Sequence, residues 1–253
     1  MSNIINTNKV ELSVHIAELK MRVLYSLIIL CVCIAICYSF ADDIYNYLLM
    51  PLANVLEGEN RKIIYTGLTE AFFTYLRLSI FAGFCISFPF IAMQIYIFLA
   101  PGLYYNERKV LLPYLIAAPI LFILGAILVY YLILPIAWKF FLSFETPNNA
   151  LLPIQFEARI SEYLALIMHL IIAFGIAFQL PIVLTLLTRI GVLDSRVLSK
   201  KRKLAIVLVF AIAAVITPPD IISQFALAIP MLILYEISIL ACKWVEKLRG
   251  NNA

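Results

Sequence analysis

Long apolar runs, separated by short polar stretches, dominate the pattern of this chain. We place six runs at 23–41, 71–92, 112–138, 163–187, 204–216 and 221–241. Most of them approach or exceed the ~20 residues that an α-helix needs to cross the hydrocarbon of a bilayer. None shows the strict apolar–polar alternation of a strand in a membrane β-barrel. The pattern predicts an all-α membrane protein with six transmembrane helices.

The fifth run is short for a membrane span. Its 13 residues, 204–216, form a helix of only about 20 Å at 1.5 Å per residue, against ~30 Å of hydrocarbon. A turn follows at once, because Thr217 and Asp220 have the spacing of a capping box around Pro218 and Pro219. We therefore expect a thinned bilayer here, or a turn that lies below the outer surface. The alternative is a plain tight turn.

Charge sets the expected orientation in the membrane. Of the 19 lysines and arginines, 14 fall in the stretches 9–22, 108–109, 189–203 and 243–249, all on one predicted side. The positive-inside rule places that side in the cytoplasm, so both termini are expected inside. A hydrophobic fraction of 64% and a mean hydropathy of +1.00 exclude an ordinary water-soluble domain.

The N-terminal stretch 1–22 is predicted to be a cytoplasmic amphipathic segment leading into span one. Glu11, His15, Glu18 and Arg22 follow one another at intervals of four, three and four residues, which is one polar stripe on a helix. Glu18 is a candidate acceptor for a cationic partner, with Arg22 one turn away to orient it. The alternative is a solvated helix face without further function.

The stretch FLAPGLYYNERK, 98–109, breaks the inner end of span two at a proline–glycine pair. Phe98 and Leu103 give it an apolar surface, and Glu107 adds a second carboxylate to a basic face. A carboxylate there favours a guanidinium, which it can bind through two hydrogen bonds. The alternative is a local ion pair of Glu107 with Arg108 or Lys109.

Two polar residues lie deep within the predicted spans. Gln179 and Glu236 are each more than about 20 Å along their helices from the outer end, so both are expected in the inner half of the membrane. Such groups face protein or water rather than lipid. The alternative for Glu236 is that it reaches toward Lys243 at the interface.

Signatures of catalysis are missing from the sequence. It contains no phosphate-binding loop, no nucleophile elbow and no zinc-protease motif, and its five cysteines lack zinc-type spacing with histidine. We therefore expect no catalytic residue, no metal site, no cofactor and no nucleic-acid partner.

Four motifs together resemble the TatC family, the multispanning receptor subunit of the twin-arginine protein translocase. They are HIAELKMR at 15–22, FLAPGLYYNERK at 98–109, FGIAFQLP at 174–181 and ITPPDIISQ at 216–224. The resemblance implies one TatC-like domain over 1–253, with a concave, glove-like arrangement of six helices. It also implies binding of twin-arginine signal peptides at the cytoplasmic face and export of folded proteins, driven by the proton-motive force.

The resemblance also assigns residues and partners. The residues implied for signal-peptide binding are Glu18, Lys20, Arg22, Phe98, Leu103, Glu107 and Arg108. Those expected at the partner helices or as polar groups within the membrane are Gln179, Thr217, Pro218, Pro219, Asp220, Gln224 and Glu236. Lys20 stands where the family usually has arginine, and Gln179 where many relatives have an acid. The implied partners are single-span proteins of the TatA and TatB type and further copies of the chain, in a bacterial inner membrane or, alternatively, an organelle membrane.

Two other functions remain compatible with the residues alone. A secondary transporter would use Glu236, Gln179 and His169 to line a solute path, although the sequence shows no repeat of two related halves. A passive membrane scaffold is the third possibility.

Overall fold

The computed structural model describes the backbone of residues 2–56, 63–64, 66–99, 105–145, 157, 159–216 and 221–250, and side chains from residue 15 to residue 247 within those ranges, apart from 99, 105–111 and 221–223. These residues form helices and one isolated β-bridge. The helices are α1 Ser2–Ser39, α2 Ala41–Val55, α3 Glu70–Leu99, α4 Tyr105–Leu128, α5 Leu134–Leu142, α6 Ile160–Ala177, α7 Leu180–Arg189, α8 Ser195–Lys200, α9 Arg202–Ile216 and α10 Ile221–Gly250.

Five stretches of the described residues are long and apolar enough to cross a membrane. They are His15–Ser39, Glu70–Phe98, Leu112–Leu142, Ile160–Arg189 and Gln224–Lys247. Each overlaps one of the apolar runs found in the sequence, which confirms an all-α protein with several membrane-spanning helices. The remaining run forms α9, which at 15 residues is shorter than the others.

Three features of the helices differ from the sequence-based expectation. The N-terminal segment and span one form a single continuous helix, α1. After Pro101 and Gly102, α4 runs unbroken from Tyr105 to Leu128, so this helix begins seven residues before the predicted start of the third span at 112. The loop after span one, predicted to lie outside, contains the unpredicted helix α2, which buries Leu48 and Leu52 on one face. Spacing of four residues between these leucines places them one above the other.

A kink divides the third span. The π-helical turn Val129–Ile133 separates α4 from α5, and Pro135 lies in the first turn of α5. Tyr130 in that turn stacks on Tyr47 of α2 at 4.9 Å between ring centroids and donates a hydrogen bond to the Tyr47 carbonyl. The π-helical turn thus anchors α2 against the outer end of the span.

The chain divides into two compact units. One contains Met1–Asp42 and Tyr75–Pro119, and the other contains Asp43–Thr74 and Ile120–Ala253. In the first unit, α1 and α3 approach closely at Gly83, where a Cβ atom would lie 2.8 Å from the backbone nitrogen of Ile34. Only glycine allows this distance between the helices.

In the second unit, α4 and α6 approach closely at two glycines. A Cβ atom at Gly125 would lie 2.9 Å from the Phe174 carbonyl oxygen, and one at Gly175 would lie 2.4 Å from the ring of Phe122. Phe174 is fully buried and Phe122 is 3% exposed. Gly125 therefore leaves room for the Phe174 carbonyl group, and Gly175 for the Phe122 ring.

The outer segments of the second unit meet around one carboxylate. Glu70, at the start of α3, accepts hydrogen bonds from the backbone N–H groups of Thr66 (2.8 Å) and Gly67 (3.1 Å). The hydroxyl of Ser161 on α6 donates to its other oxygen at 2.5 Å. The Ile160 N–H also donates to the Ile64 carbonyl, so the two outer loops are tied together by backbone and side chain.

Candidate functional site

The first unit presents the predicted polar stripe on α1. The carboxylate Oε1 of Glu18 lies 3.2 Å from Nη2 of Arg22, one helical turn later. The Glu18 side chain is 32% exposed and that of Arg22 is 27% exposed, so both remain accessible. Lys20 lies exposed on the same helix. The pairing of Glu18 with Arg22 expected from their spacing is present.

An aromatic contact joins this stripe to the inner end of α3. The ring of His15 stacks on Phe98 with centroids 4.5 Å apart and an interplanar angle of 21°. His15 belongs to the same stripe as Glu18, but it was not among the residues predicted to bind the signal peptide. Its position three residues before Glu18, on the same face of the helix, is the feature of the sequence that could have indicated a role. The stack places the carboxylate of α1 next to the motif that begins at Phe98.

A buried amide lies one turn before Phe98. The Oε1 atom of Gln94 is enclosed, and no donor among the residues with described side chains reaches it. Such an acceptor is costly inside a protein unless a partner arrives. Its spacing of four residues from Phe98 puts both on one face of α3. Gln94, like His15, was not among the residues predicted to bind the signal peptide.

Three of the residues predicted to bind the signal peptide lie wholly or partly outside the described residues. Leu103 lies outside the described residues, and Glu107 and Arg108 lie in the first turns of α4 with side chains outside them. Phe98 precedes the end of α3 by one residue, as expected for a helix broken before Pro101.

In the second unit, Gln179 occupies a break in the fourth span. α6 ends at Ala177 and α7 starts at Leu180, followed by Pro181, whose ring nitrogen has no N–H to continue the helical bonds. The side-chain amide of Gln179 donates to the Gly175 carbonyl at 3.3 Å. The sequence did not predict that the helix breaks at this polar residue.

Gln224 joins two helices. Its amide Nε2 donates to the backbone carbonyl of Phe210 on α9 at 3.1 Å, and the rings of Phe210 and Phe225 meet edge-on at 5.0 Å. Gln224 therefore ties the start of α10 to α9. The turn residues Thr217, Pro218, Pro219 and Asp220 lie outside the described residues.

Glu236 has a different partner from the one considered in the sequence. Its carboxylate binds the guanidinium of Arg202 through two contacts, Nε to Oε1 at 2.8 Å and Nη2 to Oε2 at 2.9 Å. Both side chains are 49% exposed. Arg202 is the first residue of α9, so this ion pair joins α9 to α10. The alternative that Glu236 reaches toward Lys243 was wrong, because the packing of α9 on α10 brings Arg202 nearer. His169 lies exposed on α6.

Comparison with known proteins agrees with this arrangement. The family model for the Sec-independent protein translocase protein TatC matches residues 14–230. The chain belongs to the TatC family. Among its TatC relatives, that of Rickettsia prowazekii is 52% identical over 94% of both chains. That of Magnetococcus marinus is 43% identical over 96% of this chain and 88% of its own.

A solved structure titled as the twin-arginine translocase receptor TatC superposes with a TM-score of 0.80 at 35% identity. The match covers 92% of this chain and 99% of the solved one. The chain is therefore a multipass membrane component of the Sec-independent protein translocase, a transport protein and not an enzyme. This membership does not support the alternative of a secondary solute transporter. The TatC match includes His15, Glu18 and Arg22 of α1 together with Phe98, Gln179 and Gln224, and it ends before Glu236.

Proposed function

We propose that this TatC-family chain binds twin-arginine signal peptides at its cytoplasmic face. The observation that carries the proposal is the accessible carboxylate of Glu18, oriented by Arg22 and next to the stacked rings of His15 and Phe98. Arg22 contacts only Oε1 in the described contacts, and a carboxylate accepts donors on both oxygens. A peptide guanidinium fits the second oxygen.

The neighbouring groups suit the rest of such a peptide. The aromatic surface of His15 and Phe98 suits an apolar segment. The family resemblance adds the carboxylate of Glu107. Two carboxylates select arginine over lysine, because the planar guanidinium presents paired donors that an ammonium lacks.

Peptide binding to the purified protein tests this proposal. We expect the Arg-Arg signal peptide to bind more tightly than its Lys-Lys variant. Glu18→Gln and Glu107→Gln should each lower the affinity for the Arg-Arg peptide by about tenfold or more, since a hydrogen bond to a charged group contributes about 1.5–3 kcal/mol. Glu162→Gln, an exposed carboxylate on the other predicted side, is the control. Unchanged affinity in the Glu18/Glu107 double variant would refute the proposal.

We further propose six membrane spans with both termini in the cytoplasm, in the glove-like arrangement of the family. The span added to the five long ones is α9, the fifth in chain order, whose 15 residues give about 22 Å of helix against ~30 Å of hydrocarbon, so the bilayer thins around it. Membrane-impermeant labelling of single cysteines placed at Ser2 and Asn251 tests the orientation. Labelling from the periplasmic side at either position contradicts it.

The partner proteins are proposed to be single-span helices of the TatA and TatB type that dock against α9 and α10 near Gln224. Its amide bonds the Phe210 carbonyl, so Gln224 lies where α9 and α10 meet, and interhelical hydrogen bonds of such side chains support helix association in membranes. With these partners, several copies of the chain export folded proteins across a bacterial inner membrane, using the proton-motive force. Cross-linking between cysteines at position 224 and along the partner span tests the docking. Cross-links confined to the opposite face of α10 contradict it.

A further inference from the structure

Basic side chains gather where α7, α8, α9 and α10 have their predicted cytoplasmic ends. They are Arg189, Arg196, Lys200, Lys201, Arg202, Lys203, Lys243 and Lys247. All but Arg189 are exposed. We call this set the basic patch. All of its residues belong to the second unit, and none is proposed above to bind the signal peptide.

The acidic residues among them are already engaged. Glu246 accepts hydrogen bonds from the N–H and the hydroxyl of Ser195, both at 2.5 Å. Asp194 caps α8 by accepting from the Arg196 N–H at 2.9 Å, and Glu236 binds Arg202. These carboxylates therefore hold the local fold, and only one of them binds a basic side chain of the patch. The remaining positive charges have no comparable partner among the described residues.

The segment that carries the lysines is fixed along α10. It starts at Ser195, bonded to Glu246, and continues through Leu198, which packs on Ile239 and Cys242. The hydroxyl of Tyr235 donates to the Leu198 carbonyl at 3.0 Å. α8 thus runs antiparallel to α10 with its buried face inward, and it presents its charged face on a rigid support.

Exposed apolar side chains border the basic patch. On α9 they are Leu204 (54% exposed) and Val207 (65%), and on α10 they are Leu240 (63%) and Trp244 (66%). Tryptophan prefers the membrane interface, where its ring meets acyl chains and its N–H meets headgroups. Cationic and lipid-facing surfaces are therefore continuous here.

We propose that the basic patch binds the headgroups of anionic phospholipids in the surrounding bilayer. A phosphate diester carries the charge that complements lysine and arginine, and the attached acyl chains match the apolar border. Clusters of four to eight basic residues next to a membrane span attract anionic lipids, with about a fivefold gain in affinity per basic residue near the surface. Because α9 is short, its first turn draws these headgroups to the thinned part of the bilayer.

Fluorescence of Trp244 tests the proposal directly. The chain has two tryptophans, and the other, Trp138, is 3% exposed and is replaced by Trp138→Phe. The protein is reconstituted in phosphatidylcholine bilayers containing brominated phosphatidylglycerol or brominated phosphatidylcholine as quencher. We expect the quenching of Trp244 to show that phosphatidylglycerol binds at least about fivefold more tightly than phosphatidylcholine. Half-molar salt should remove most of that preference.

Variants then locate the site. Combining Lys200→Gln, Lys201→Gln and Lys203→Gln should bring the preference close to unity. The control changes the same number of charges on the other predicted side, with Arg61→Gln, Lys62→Gln and Lys139→Gln, and should keep the preference. A double variant, Arg196→Gln with Lys243→Gln, should lower the preference for phosphatidylglycerol about fivefold or more. It replaces the triple variant in the test if the triple variant misfolds.

Equal quenching by the two lipids in the unsubstituted patch would overturn the proposal, and would leave an acidic segment of a partner protein as the fitting ligand. Equal loss in the control variant would overturn it as well, because the preference would then report total charge. Peptide binding at Glu18 is measured separately in detergent, so failure here leaves that proposal standing.

Discussion

The close packing of α4 on α6 predicts a sharp response to one added methyl group. In Gly175→Ala the new carbon would lie 2.4, 2.7 and 2.9 Å from three atoms of the Phe122 ring. Carbon atoms at rest are separated by about 3.5–4.0 Å, so the ring or the helix must move on the order of 1 Å. Phe122 is 3% exposed, so neighbouring side chains enclose its ring.

The expected cost follows from two opposing effects. Overpacking of a filled core typically costs about 1–3 kcal/mol, whereas alanine favours a helix over glycine by up to about 1 kcal/mol. The clash wins, and we expect a net loss of about 1–2 kcal/mol in the free energy of unfolding. Removing the obstacle in Phe122→Leu should reverse the sign of the glycine substitution, with a coupling energy of at least about 1 kcal/mol.

Unfolding of the four proteins of this cycle, measured in one mixed-micelle denaturant series, gives the coupling energy. Gly67→Ala is the matched control, because the nearest atom to its added carbon is Glu70 Cβ at 3.4 Å, an ordinary contact. Additive effects of Gly175→Ala and Phe122→Leu would refute the packing argument. So would a loss in the control equal to that at position 175.

Two further predictions concern polar groups. Glu70→Gln should lower the free energy of unfolding by about 1.5–3 kcal/mol, because its carboxylate accepts from two backbone N–H groups and a hydroxyl; a loss no larger than that of Glu162→Gln, measured by thermal denaturation, contradicts this. Gln224→Leu should weaken association with a single-span partner by about 1 kcal/mol, as judged by co-purification at graded partner concentration. Unchanged co-purification would show that the Gln224 amide serves only its bond to Phe210 within the chain.

The positions of the spans could be predicted because the physical constraint is local. Hydrocarbon admits no unpaired backbone groups, so each crossing segment must be a helix with a sufficient run of apolar side chains, and that run is visible in the sequence. The five long spans follow from this rule, and so does the shortness of α9 before its two prolines. Spacing alone also predicted the pairing of Glu18 with Arg22, since both lie on one helix.

Motifs accounted for the family because they join residues within short stretches. The four stretches from His15 to Gln224 each carry their signal over about ten residues, and the family match of residues 14–230 includes all of them. Periodicity was less informative at the ends of helices. It missed α2 and the break at Gln179, where proline chemistry and local packing compete over a single turn.

Contacts between distant residues were decided by the tertiary structure alone. Nothing in the sequence links His15 to Phe98, or Ser195 to Glu246, across separations of 83 and 51 residues. Glu236 shows the physical reason most clearly. Along its own helix the nearest cation is Lys243, but the start of α9 brings Arg202 to within 2.8 Å. A charged side chain pairs with whichever partner the packing of helices brings closest, and spacing along one helix does not contain that information.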